Sequence, residues 1–181
     1  MKDKGNVKNF ESMSEKERLG WLDEHFYYEI CCFEEAFSCM KAKNEINPQI
    51  KINKELELFL LHVRCLSEFF YEKTKDKYPN DARAEHFFKN SPEWENLRPD
   101  KDGLWKNIEK DIDRAGKELF HLTYARIAGI DPEKLWKISE IYSELKKVIT
   151  IFINTIPKKY LGKNLIGFKQ RLTNNNDLIQ N

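Results

Sequence analysis

Four stretches of this chain repeat apolar residues every three or four positions, and that spacing commits them to helices with one buried stripe each. The first holds Leu19, Leu22, Phe26, Ile30, Phe33 and Phe37, behind a Ser14/Glu17 pair with capping-box spacing. The second holds Leu56, Phe59, Leu60, Val63, Leu66 and Phe70, behind Asn53 as a cap. Leu58, Leu61, Cys65 and Phe69 add apolar residues on its other faces, so it is expected to be central and buried nearly all round. The third runs from about Asp102 to Ile127, with Leu104, Ile108, Ile112, Ala115, Leu119 and Leu122, and stops at Gly129. The fourth starts at Asp131-Pro132-Glu133, carries Leu135, Ile138, Ile141, Tyr142, Leu145, Val148, Ile149 and Phe152, and stops at Pro157.

Seven Gly and six Pro in 181 residues favour such long helices over a turn-rich β fold. The expected architecture is all-α: a four-helix bundle over residues 14–157, with an N-terminal arm at 1–13 and a basic tail at 158–181. A long connection, 78–100, joins the second and third helices. It is read as partly helical, over Asp81–Lys89 and again from Ser91 at an N-cap with Pro92 at N1.

Charged residues make up 34% of the chain but balance to +1, so overall charge advertises neither nucleic acid nor a membrane. No apolar run is long enough to span a bilayer, and the residues before Trp21 are too polar for a leader segment. Cys31, Cys32, Cys39 and Cys65 form no C-x-x-C pair and no zinc spacing. They are expected to be free, mostly buried thiols in a reducing cytoplasm. Nothing calls for a cofactor.

Two constellations carry chemistry. On the third helix Asp111, Arg114, Glu118 and His121 share an arc of roughly 80°. An arginine stabilises charge on a phosphate, and a histidine moves protons near neutral pH, which together suit RNA cleavage by a 2′-hydroxyl. The alternative is a solvated face with an Arg114–Glu118 pair at i,i+4. The second helix places His62 and Arg64 in its apolar run. A buried guanidinium needs a carboxylate or a ligand anion, and His62 is open to pairing, packing or metal ligation. His62, Arg64, Asp81 and Arg126 are therefore candidate ligand-binding residues, and a metal or small-ligand site built from His62, Arg64, Asp81 and His121 is a further alternative. His121 and Arg126 also suit the end of their helix, where cations meet the dipole favourably. Lys158, Lys159, Lys163, Lys169 and Arg171 follow Pro157 against one acid, Asp177, and are open to phosphate contact or to solvation.

The segments His62-Val63-Arg64-Cys65-Leu66-Ser67-Glu68-Phe69-Phe70-Tyr71, Asp81-Ala82-Arg83-Ala84-Glu85-His86-Phe87-Phe88 and His121-Leu122-Thr123-Tyr124-Ala125-Arg126 resemble a group of uncharacterised bacterial helical proteins. More distantly, Arg114, six residues, then His121 resembles the arginine–histidine motif of the HEPN superfamily. That resemblance implies a four-helix bundle, a homodimer, and metal-independent action on RNA. Arg114 would hold the scissile phosphate and His121 would serve as acid or base. Ala115 departs from the polar residue usual after the arginine. The other reading of the whole chain is a non-catalytic helical module that binds a protein partner or a second copy of itself.

Overall fold

The computed structural model describes residues 10–41, 48–72, 80–99 and 136–177, and every regular element among them is helical. The third expected helix (102–127) and the Asp131-Pro132-Glu133 start lie outside the described residues. Two compact units are present: Met1–Tyr28 with Ser67–Arg98 and Val148–Asn181, and Glu29–Leu66 with Pro99–Lys147.

The chain enters α1 (Glu15–Trp21) through the expected cap. Ser14 Oγ accepts from the Glu17 N–H at 3.3 Å, and Glu17 Oε2 accepts from the Ser14 N–H at 2.8 Å. A π-helical turn, Leu22–Phe26, then leads into α2 (Tyr27–Lys41). The apolar spacing does not reveal that turn, because Leu22 and Phe26 point inward in either winding. α3 (Pro48–Tyr71) begins five residues before Asn53. Pro48 suits a first helical position, where its missing N–H leaves no gap.

α3 corrects the expectation of a helix buried nearly all round. Phe59, Leu60, Val63 and Leu66 are buried, yet Leu58 and Leu61 are 41% and 40% exposed and Cys65 is exposed as well. The thiols differ likewise: all four are free, Cys31, Cys32 and Cys39 are half-buried, and none is fully buried.

The connection is partly helical, as expected. It contains a 3-10 turn at Ala84–Phe87 and α4 (Ser91–Leu97). The α4 cap is Asn90 rather than Ser91: Asn90 Oδ1 accepts from the Glu93 N–H at 3.0 Å, which moves Pro92 to the second position. α5 (Ile138–Thr155) buries Ile141, Leu145, Val148, Ile149 and Phe152. Trp136 and Lys137 before it are not helical.

The helical fold continues past Pro157, where a solvated tail is the simpler expectation. A 3-10 turn at Lys158–Tyr160 is followed by α6 (Lys163–Asp177), which buries Leu165 and Phe168. The N-terminal arm is not wholly loose either. Phe10–Ser12 makes a 3-10 turn, and the Phe10 ring stacks on His86 with centroids 4.7 Å apart.

The first unit is centred on the Phe152 ring, which is fully buried. Phe26, Phe69, Phe70, Phe87, Phe88 and Trp94 surround it, with centroids 5.2–6.4 Å away and interplanar angles of 67–90°. Edge-to-face contact sets the positive rim of one ring against the negative face of another. Trp94 Nε1 donates to the Phe70 carbonyl at 2.8 Å, and Arg98 Nη1 donates to it at 3.1 Å. These bonds satisfy a carbonyl at the α3 C-terminus that has no partner within the helix. The second unit is held by stacked rings: Phe33 lies 5.3 Å from Phe59 and 5.1 Å from Tyr142, and Phe37 stacks on Tyr142 at 3.7 Å. Burial raises the Tyr142 phenol above its ordinary range.

Candidate functional site

In the second unit, α2 contributes Glu29 and α3 contributes His62. His62 is 5% exposed, and its Nδ1–H donates to Glu29 Oε2 at 2.6 Å. A carboxylate in this place fixes the tautomer and the ring orientation of the imidazole. It also leaves no buried polar group of that pair unmatched, which is what a core histidine requires. Arg64, two residues on, is exposed. The expected buried guanidinium seeking an anion is thus corrected: a two-residue step turns about 200° around the helix, from the core side to the surface.

In the first unit a buried guanidinium does occur, at Arg83, which is 4% exposed. Arg83 Nη2 bonds Asp81 Oδ2 at 2.9 Å and lies 3.5 Å from Glu72 Oε2. Asp81, expected as a ligand-binding residue, is therefore a partner of Arg83. Arg83 Nε and Arg18 Nε are buried without a hydrogen-bond acceptor among the described residues. An anion approaching Arg83 would meet two carboxylates already in place, so this cluster is a structural lock rather than a phosphate site.

His86 completes the lock. Its Nδ1 accepts from the Arg83 backbone N–H at 3.2 Å, so that nitrogen carries no proton. Burial, then the Arg83 and Arg18 charges, hold the imidazole below its ordinary pKa of 6.5 against the opposing pull of Glu85 and Glu11. Arg18 in turn sits over the Phe10 ring, 4.0 Å from its centroid, and donates to the Phe10 carbonyl at 3.0 Å.

The third feature is cationic. No acid occurs in the sequence between Glu144 and Asp177, while Lys158, Lys159, Lys163, Lys169 and Arg171 all fall within that interval. α6 mounts Lys163, Lys169 and Arg171 on a packed helix, and Lys158 and Lys159 lie in the turn before it. Leu165 and Phe168 face inward, and Lys163, Asn164, Gln170 and Arg171 are exposed. Its N-terminus is held by Asp23, whose Oδ1 accepts from the Asn164 and Leu165 N–H groups at 2.9 and 3.0 Å. Gly162 permits that approach, since a Cβ there would overlap the Asp23 side chain. Lys159 pairs with Glu15, which lowers the Glu15 pKa and raises that of Lys159.

Among the expected site residues, His62 and Asp81 are engaged with Glu29 and Arg83, and Arg64 is on the surface. Arg114, Glu118, His121 and Arg126 lie outside the described residues. Glu29, Asp23 and Arg83 were not singled out by pattern. Glu29 looks like any surface acid on a helix, and its partner is 33 residues away. No group of three His, Cys, Asp or Glu side chains among the described residues could hold a metal ion, and no described helix is long and apolar enough to cross a membrane. No known protein family, characterised protein or solved structure matches this chain.

Proposed function

We propose that this chain is an RNA-acting helical protein of HEPN type. The observation that supports the reading best is the cationic surface of α6 and the turn before it, free of acids in sequence from 145 to 176 and anchored by buried Leu165 and Phe168. Lysines and arginines on a rigid helix neutralise backbone phosphates and release their counterions, which gives sequence-independent affinity. Exposed Gln170 adds a neutral donor of the kind that contacts phosphate and sugar oxygens. In this reading Arg114 holds the scissile phosphate, His121 moves the proton, Glu118 orients the arginine, and a four-helix bundle carries them.

Binding is tested by fluorescence anisotropy with a labelled single-stranded RNA at about 50 and 200 mM salt. Affinity should fall as salt rises, and Lys158→Glu with Lys163→Glu should weaken binding about tenfold while flattening the salt dependence. No binding at the lower salt removes the RNA reading. Cleavage is tested separately by RNA decay beside Arg114→Ala and His121→Ala. Equal decay in all three samples removes the catalytic roles while leaving RNA binding intact.

A second reading, a self-assembling helical module, draws on a different observation: the exposed leucines of α3.

A further inference from the structure

We infer that two copies of this chain pair through α3, antiparallel, about a two-fold axis beside Leu61. The inference rests on the self-assembly reading and names its surface. At 100° per residue, Glu57, Leu58, Leu61, Arg64 and Cys65 fall within an arc of about 120°, and all five are exposed. The opposite side of the same helix is spent on the core, where Phe59, Leu60, Val63 and Leu66 are buried. Leu58, Leu61 and Cys65 follow one another at steps of three and four residues, the spacing of a coiled-coil seam.

Charge selects the occupant and its direction. Glu57 and Arg64 stand on the same flank of that seam, four residues before and three after Leu61. An antiparallel second copy sets Glu57 beside the Arg64 of the other chain, and the symmetry repeats the pair. In a parallel copy this flank would lie on opposite sides of the seam in the two chains, so neither Glu57–Arg64 pair would form. The patch is thus self-complementary in one orientation, as a two-fold interface must be. At the axis Leu61 meets Leu61, with Leu58 and Cys65 on either side closing the apolar strip.

Sedimentation equilibrium of the full chain over a wide concentration range tests this. Wild type should show reversible dimerisation. Glu57→Arg alone and Arg64→Glu alone should each weaken it about tenfold, since each turns two attractive contacts into repulsive ones. The double variant should return to within about threefold of wild type, because the swap restores opposite charges. Circular dichroism confirms that each variant stays folded, and all these positions are on the surface. As a second measurement, Leu61→Cys in a Cys65→Ser background should form an intermolecular disulfide on mild oxidation. A monomer at every concentration overturns both the inference and the self-assembly reading. A dimer indifferent to the charge changes, or one the double variant fails to rescue, overturns the α3 seam and leaves self-assembly by another surface.

Discussion

Replacing Phe152 by alanine should remove the centre of the first unit. The ring is fully buried and meets six other aromatic rings, each within 6.4 Å between centroids. Truncating a buried Phe to Ala costs about 3–5 kcal/mol, from lost transfer energy plus the cavity that remains. Aromatic pairs add roughly 0.5–1.5 kcal/mol each beyond area, and their loss places this site towards the upper end of that range. Rings from several elements line the gap, so no single rotamer change can fill it. Against a total stability of about 5–15 kcal/mol, the change is large. For a chain of this length it lowers Tm by roughly 10–20 °C. Urea unfolding followed by tryptophan fluorescence is the direct assay, since Trp94 lies 5.4 Å from Phe152 between ring centroids. Phe152→Leu retains most of the apolar volume and should lose about 1–2 kcal/mol. Ile166→Ala, at a 44% exposed position, should lose under about 0.5 kcal/mol and serves as the control. A loss below about 1 kcal/mol for Phe152→Ala, or equal losses for the alanine and leucine variants, would refute the placement of this ring at the core.

Asp23→Ala should destabilise by about 1–2 kcal/mol, because it strips the α6 N-terminus of a charged cap. Gly162→Ala should do similar damage by expelling the same carboxylate, so chemical denaturation of the double variant should show less than the sum. His86 titrates low when folded, so the unfolded chain binds the extra proton. Stability therefore falls as pH drops below about 6.5 and levels off once the folded imidazole also protonates. Glu15, whose pKa is lowered by Lys159, contributes only below its ordinary 4.5, so it stays out of urea titrations between pH 7.5 and 5, where comparison with His86→Gln separates His86 from the other three histidines. A slope unchanged in His86→Gln would assign the effect elsewhere. His62→Ala should cost about 2–3 kcal/mol and Glu29→Gln under about 1.5 kcal/mol, because glutamine still accepts the Nδ1–H bond. Equal losses on unfolding would show that the pair is held by charge rather than by hydrogen-bond geometry.

Periodicity alone made this an all-α chain, because helical spacing of apolar residues has no other packed solution, and Ser14 with Glu17 marked the start of α1 by local chemistry alone. Local rules also placed helical structure within the connection after α3, since Pro92 and its neighbours stop one element and start the next. Tertiary structure decided which apolar residues are core. Leu58 and Leu61 have the same hydrophobicity as Leu60, and only the neighbours they face separate surface from interior. It also decided that the residues after Pro157 are helical and docked, because Asp23, more than 130 positions earlier, supplies the cap that the local sequence lacks. The same holds for Glu29 with His62 and for the buried Arg83. Pairing between distant helices depends on where the chain returns in space, and a one-dimensional pattern carries no record of that return.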